Sequence, residues 1–387
     1  MFNKQNKAIF GLSLGHFAVD LYAAMLVPLY PMITTKLGIN LALISSVIAL
    51  GHLVSSLLQP IFGYIADKLR HRFFMVWGLI LSCIFIPLSA KSNTVTAFLI
   101  CLLLGMIGNA FFHPQVSALI KDFNKNNPNL SKVMSIFLGL GTIGYAIGPY
   151  ISTFFVDNFG IEKIWSLGIF GFTCALFMYF FVPKMPDKDC YIKENFFIIM
   201  KEILKNKTCM FLTIISVIKS ALSISYGTYI PFLLQQKGFD LSSIGFIVTL
   251  FYISGGIGTI FSAKFEKKFK ANNVIVISFI SILPLICLFV PALNYNKYLA
   301  VILFILTGFF ILLSVGIILT HAQNAIPKYT GVVSGVMQGF SWGIGALFLA
   351  PLGIIGEKFG VITILLLMAF IAFVIGVYTL KNKCLKN

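Results

Sequence analysis

Long apolar runs separated by short polar breaks repeat along the whole chain. A helix that crosses a bilayer needs about 20 predominantly apolar residues. Runs of that kind lie at 8–33, 41–66, 73–90, 95–120, 131–156 and 163–183. After a polar segment, six more lie at 208–234, 242–263, 274–292, 298–322, 331–356 and 361–380. The pattern predicts an all-α membrane protein with twelve spanning helices, spans 1 to 12 in chain order. Residues 1–183 form an N-terminal six-helix half and 208–387 a C-terminal one, joined by a linker at 184–207. The end of that linker reads as an amphipathic helix lying on the membrane surface. The N-terminal run is long enough to span and lacks a small-x-small cleavage site, so it reads as a retained first helix.

Sliding the sequence along itself by 200 residues exposes an internal repeat. "KLGINLALIS" (36–45) meets "QKGFDLSSIG" (236–245), which aligns Gly38 with Gly238, Leu41 with Leu241 and Ile44 with Ile244. Pro31 falls on Pro231, Val133 on Val333, Gly139 on Gly339, and "DNFG" (157–160) on "EKFG" (357–360). Matches so far apart in one register imply two halves in parallel orientation. Two-half transporters of this design bind substrate near the bilayer midplane at the repeat interface and work by rocking.

Composition supports this picture. Hydrophobic residues make up 58% of the chain and charged ones 11%, too little polarity to cover a soluble domain of this length. A net charge of +17 would suggest nucleic acid as a partner of a soluble protein. Here the positive charge sorts by loop instead. The N-terminus, the alternate loops that follow it, the linker and the C-terminal tail hold 22 Lys or Arg, and the other loops hold six. That asymmetry places both termini and the linker in the cytoplasm, and no nucleic-acid partner is expected. The seven cysteines show neither metal-ligand spacing nor a disulfide framework.

The loop "GYIADKLRHR" (63–72) resembles the signature loop of the major facilitator superfamily. Gly63, Ala66, Asp67, Lys68, Arg70 and Arg72 carry the likeness, with Arg70 standing where the family has a glycine. The resemblance implies that Asp67 and its basic neighbours form a cytoplasmic charge latch. In the second half, "AKFEKKFKAN" (263–272) has Lys267 in place of the aspartate. "GHFAVDLY", "SSLLQPIFGYIAD", "GNAFFHPQVSALI" and "SGVMQGFSWGIGAL" are similar to the fosmidomycin-resistance branch of that superfamily. Together they imply the twelve-helix facilitator fold, and proton-coupled export of small molecules across a bacterial cytoplasmic membrane, with antibiotic resistance as one consequence. "GLGTIGYAIGPYIS" (139–152) partly matches the antiporter motif of drug-exporting facilitators. Gly144, Gly148 and Pro149 fit its core, and glycines four apart let helices approach closely.

Several polar residues stand out against the apolar runs. Asp20 is the only acidic residue well inside a run, and His16, four residues earlier, shares its helix face, with Ser13 extending the stripe. Ionisable groups at membrane depth face the bundle interior and tend to mark ion pathways or proton relays. Burial favours the neutral form of a carboxyl group and a neighbouring cation the charged form, so binding events can switch it. The alternative is a static salt bridge that only holds helices together. His113, with Asn109 one turn earlier and Pro114 following, gives span 4 a group able to relay protons and a bend suited to a cavity wall. Lys219, in span 7, corresponds to Val19 at the repeat shift and so lies near the depth of Asp20. It shares a face with Ser223 and Tyr226, and either pairs with Asp20, attracts an anionic substrate, or snorkels to an interface. Gln338 and Trp342 in span 11 are further candidate substrate contacts, although an aromatic there also serves packing.

The chain contains no Gly-rich phosphate loop, nucleophile elbow, HExxH or Cys/His cluster. An enzyme is therefore not expected, nor a cofactor or bound metal. The energy source is then a gradient, and a buried carboxylate favours protons. The expectation is a monomeric proton-coupled antiporter that exports drugs or anionic and amphipathic metabolites. An importer of an organic anion or sugar, whether symporter or facilitator, is the alternative, as is a lipid-moving or sensing membrane protein.

Overall fold

A computed structural model describes residues 4–69, 73–123, 130–183 and 196–382, and among them helix is the only regular structure. Eleven of the helices are long and apolar enough to cross a membrane. They are span 1 (Lys7–Leu37), span 2 (Leu41–Gln59), span 3 (Phe74–Lys91), span 4 (Val95–Val116), span 6 (Ile161–Phe181) and span 7 (Lys207–Gln236). Spans 8 to 12 are Leu241–Phe269, Ala271–Tyr295, Lys297–Ala325, Val332–Phe359 and Val361–Lys381. Span 5 is the 30-residue helix Leu130–Phe159, which completes the twelve. In the linker, the helix Phe196–Lys205 buries Ile199 and Ile203 while Phe197, Ile198 and Leu204 stay exposed.

The repeat read from sequence is present in the backbone. Gly38 and Gly238, which end spans 1 and 7, both have positive φ, 63° and 75°. Gly160 and Gly360, which precede spans 6 and 12, do likewise at 79° and 85°. Only glycine adopts this region at low cost, so the same turn recurs at the same register.

The chain divides into two compact units, each using helix ends from both halves of the sequence. Unit 1 comprises Met1–Gly38, Leu50–Tyr191 and Asp240–Thr249, and unit 2 comprises Ile39–Ala49, Ile192–Phe239 and Leu250–Asn387. In unit 1, the Asp157 carboxylate accepts from the amide and the hydroxyl of Ser242 at the start of span 8. In unit 2, Glu357 accepts from the Asn40 side chain at 2.9 Å and the Ala42 amide at 3.3 Å at the start of span 2. These contacts are the same cap, 200 residues apart, satisfying helix N-terminal amides and complementing the helix dipole.

Unit 1 is tightened around span 1. The Tyr22 hydroxyl donates to the Leu167 carbonyl at 2.7 Å and accepts from the Gly171 amide at 2.8 Å, which pins span 1 to span 6. Span 5 presses on the other side. A Cβ at Gly144 would lie 2.9 Å from the Phe17 carbonyl carbon, and one at Gly148 would lie 2.5 Å from the Leu21 oxygen. Beyond the glycines, Ser152 donates to the Met25 carbonyl at 2.6 Å.

In unit 2, span 7 takes the corresponding central place. Ser216 donates to the Met337 carbonyl at 2.7 Å, Tyr226 to Leu365 at 3.0 Å and Tyr229 to Leu349 at 2.7 Å. Gly345 in span 11 makes the close approach, with its Cβ position 3.0 Å from the Val217 oxygen. Span 5 contacts residue 17 through Gly144, so a strict shift of 200 would use Ile344. A π turn at Val336–Phe340 lies just before and takes up the extra residue.

Candidate functional site

Three side chains of unit 1 converge. Asp20 and His16 are one turn apart on span 1, and His113 comes from span 4. Asp20 Oδ2 lies 3.2 Å from His16 Nε2, and Asp20 Oδ1 lies 3.3 Å from His113 Nε2. His16 is buried, and the side chains of Asp20 and His113 keep 16% and 25% of their surface accessible. The triad is thus shielded without being sealed on every side. The two histidines meet edge to face at 5.3 Å, and the His16 ring stacks on Phe137 of span 5 at 4.2 Å. The site therefore joins three spans.

The hydrogen bonds of His16 determine where a proton must be. Its Nδ1 lies 3.0 Å from the Phe137 carbonyl oxygen. A carbonyl only accepts, so Nδ1 carries a hydrogen. In a neutral imidazole Nε2 is then bare, and it faces a carboxylate oxygen that is also bare. That arrangement is repulsive unless one more proton lies between them, on His16 as imidazolium or on Asp20 as the acid. Either placement yields a charge-assisted or strong neutral hydrogen bond. Removing the proton leaves two lone pairs facing each other at 3.2 Å. The donor atoms of the three residues lie within 4.8 Å of one another, a spacing that suits a shared proton or a small cation.

Space for the triad comes from Gly141 on span 5, which sequence reasoning missed. A Cβ there would lie 2.6 Å from both Asp20 Oδ2 and His16 Nε2. With Gly144 and Gly148, this glycine forms one face at spacings of three and four, a helical stripe already visible in the sequence. The Phe137 carbonyl left no such sign, because backbone groups are common to all residues.

The remaining candidates are distributed as follows. Asn109 is partly buried on span 4, one turn before His113, and Pro114 lies within that helix. Lys219 is buried on span 7 with 5% exposure. Tyr226 is fully buried with its hydroxyl donated to Leu365, so a substrate would reach that hydroxyl only if the bond opened. Gln338 is exposed within the π turn of span 11, and Trp342 follows it, partly buried. Pro149 is buried, and its carbonyl accepts from Ser152 and Thr153. Of the latch residues, Gly63, Asp67 and Lys68 fall in the helix Leu41–Leu69 with side chains outside the described set. Arg70 and Arg72 lie outside the described residues altogether.

Twelve spans in two repeated halves, with a titratable cluster inside one of them, define a multi-pass membrane transporter of the two-half class. The model of the Major Facilitator Superfamily matches residues 12–350, and the chain belongs to that family. It is similar to the fosmidomycin resistance protein of Escherichia coli (strain K12), 24% identical over 368 residues, 93% of this chain and 89% of that one. It is also similar to the quinolone resistance protein NorA of Staphylococcus aureus (strain COL), 22% identical over 356 residues, 91% of this chain and 88% of the other. Among solved structures it resembles a point mutant of the nucleoside transporter NupG, at a TM-score of 0.81 and 15% identity. That match covers 98% of this chain and 100% of that one.

Proposed function

We propose that this transporter is a proton-coupled antiporter that exports small organic molecules from the cytoplasm, with the coupling proton held by the His16–Asp20–His113 triad. The observation that carries the reading is the His16 Nδ1 bond to Phe137, because it makes one extra proton a structural member of the triad. With the proton present, spans 1, 4 and 5 are tied together. With it gone, His16 and Asp20 repel and the tie loosens. Proton occupancy is thereby linked to the packing of three spans, which alternating access requires of a coupling site. Export is the direction supported by the resistance proteins among the relatives, and the charge asymmetry of the loops supports cytoplasmic termini. Asp67 with its basic neighbours serves as a conformational latch rather than a binding site, and Asn109, Gln338 and Trp342 contact substrate.

The test is proton release. The purified transporter, in weakly buffered detergent, is titrated with a transported compound while pH is followed with an indicator dye. Wild type is expected to release close to one proton per site, and Asp20→Asn none, since an amide keeps the shape but cannot titrate. The same Asn variant should fold and still bind. Equal proton release from both proteins would make Asp20 structural and refute the assignment.

A further inference from the structure

Two imidazole nitrogens and a carboxylate converge in unit 1 at separations that match the coordination shell of a small metal ion. A tetrahedral ion about 2.0–2.1 Å from each ligand atom holds neighbouring ligand atoms about 3.3–3.4 Å apart. The observed edges are 3.2 Å, from His16 Nε2 to Asp20 Oδ2, and 3.3 Å, from His113 Nε2 to Asp20 Oδ1. The two edges end on different carboxylate oxygens, which a bidentate carboxylate or a turn of the Asp20 side chain accommodates. One ligand atom from each residue lies within 4.8 Å of the others, so the third edge closes by no more than about 1.5 Å to reach the tetrahedral value.

The surroundings suit such an ion as well. A metal-bound histidine characteristically donates its other ring N–H to a backbone carbonyl or a carboxylate, which fixes its tautomer and orientation. The Phe137 carbonyl does this for His16 and leaves the Nε2 lone pair turned toward Asp20. A Cβ at residue 141 would stand 2.6 Å from both Asp20 Oδ2 and His16 Nε2, so the glycine keeps carbon away from two of the ligand atoms. Asp20 and His113 stay partly accessible, which leaves a side for entry. Two imidazoles with one carboxylate favour late first-row dications such as Zn2+, Co2+ and Ni2+, whereas Ca2+ and Mg2+ prefer shells built from oxygen. Sequence spacing led to no expectation of a metal, because His113 is 93 positions from Asp20. At a shift of 200 the three positions hold Ser216, Ser220 and Leu313, so the second half has no equivalent in that register.

We infer that His16, Asp20 and His113 form a three-ligand site for one late first-row dication, of which Zn2+ is the type, with the fourth position left to water. The inference goes beyond the proposed transport function and stands on ligand geometry alone. An ion there takes the lone pairs that otherwise share the coupling proton, so ion and proton exclude one another. It also fastens span 1 to span 4, since two ligands come from the first and one from the second.

The full-length transporter is purified in detergent, freed of any affinity tag, stripped with a chelator and titrated by calorimetry with Zn2+, Mg2+ and Ca2+. Wild type is expected to bind one Zn2+ per chain, roughly a hundredfold or more tightly than Mg2+ or Ca2+. Co2+ serves as a coloured probe, because a four-coordinate site absorbs visible light far more strongly than the hydrated ion. His113→Ala and Asp20→Asn should each weaken Zn2+ roughly tenfold or more and remove the Co2+ band. His321, with Nε2 2.6 Å from Glu266 Oε1 in unit 2, belongs to a two-residue pair, so His321→Ala should leave binding unchanged. Absence of stoichiometric Zn2+ binding in wild type, unchanged affinity in His113→Ala, or loss of binding in His321→Ala overturns the proposal. If Asp20→Asn fails to fold, His113→Ala decides, its side chain being the most exposed of the three. An indicator dye follows pH during the same titration. Zn2+ binding without proton release counts against the shared proton and leaves the metal site standing, whereas absent Zn2+ binding strikes the metal site alone.

Discussion

Replacing Gly141 by alanine should disable the triad without unfolding the transporter. The added Cβ would lie 2.6 Å from Asp20 Oδ2 and from His16 Nε2, where ordinary contact requires roughly 3.5 Å. The two groups must therefore move by about 1 Å, which takes their 3.2 Å separation beyond hydrogen-bond reach. A hydrogen bond to a charged group contributes about 1.5–3 kcal/mol, and each 1.36 kcal/mol corresponds to about tenfold in rate. Proton-driven transport should fall on the order of 10- to 100-fold. Two neighbours on span 5 serve as controls. Gly139→Ala meets nothing within 4 Å and should be neutral, or stabilising by about 0.5–1 kcal/mol through helix propensity. Gly144→Ala pushes against the Phe17 backbone and should lower stability by about 1–3 kcal/mol through overpacking, without touching the triad. Transport in everted vesicles with an imposed proton gradient, alongside melting temperatures in detergent, separates the three. Wild-type transport in Gly141→Ala together with impaired transport in Gly144→Ala would show that span packing matters and the triad does not.

The other expectations concern the scaffold. Tyr22→Phe removes two buried hydrogen bonds, to Leu167 and Gly171, and should cost about 1–3 kcal/mol; an unchanged melting temperature would mean span 6 is held by other contacts. Glu357→Gln and Asp157→Asn each weaken an exposed helix cap, so each should cost about 0.5–1 kcal/mol, and a large difference between them would refute their equivalence in the repeat. The Asp240 carboxyl is held below its ordinary value by the Ser243 hydroxyl and amide. Its contribution is therefore present above the unfolded carboxylate value of about 4 and is lost as pH falls through the lower folded value. Asp240→Asn should flatten the acid side of a melting-temperature profile, and an unchanged profile would count against the cap.

Residues close in sequence made part of the site legible. His16 and Asp20 are four apart, so helix periodicity alone placed them together, and membrane depth marked them as unusual. Gly144 and Gly148 followed from the same spacing rule. His113 could be grouped with Asp20 and His16 by residue type as one proton-coupling set, but its contact with Asp20 spans 93 positions and its geometry depends on how span 4 packs against span 1. The caps were hidden for another reason. "DNFG" and "EKFG" were visible as repeat markers, yet nothing local says that Asp157 and Glu357 reach helix starts at Ser242 and Ala42. The buried hydroxyls of Ser220, Ser223 and Ser225 on span 7, which have no hydrogen-bond partner, were equally invisible, since a serine in a helix ordinarily bonds to its own backbone.

The triad also explains why Gly141 is a glycine. Beyond the π turn of span 11 the register runs one residue later, so its counterpart in unit 2 is Trp342. In unit 2 the place of His16 is taken by Ser216, a small side chain that donates to the Met337 carbonyl. In unit 1 the facing residue is His16, whose ring nitrogen extends to within 2.6 Å of where such an atom would be. A histidine on span 1 and a side chain at 141 exclude one another. By register the larger residue of the pair stands on span 1 in unit 1, His16 with Gly141, and on span 11 in unit 2, Ser216 with Trp342, and only the first leaves a ring nitrogen facing a carboxylate. The double variant His16→Ser/Gly141→Ser should therefore restore the part of the packing lost to the His16 ring in Gly141→Ser, the Asp20 contact remaining, while leaving proton coupling abolished. Recovery of stability without recovery of proton-driven transport is the expected result. If the double variant is no more stable than Gly141→Ser alone, the two positions are not complementary in size.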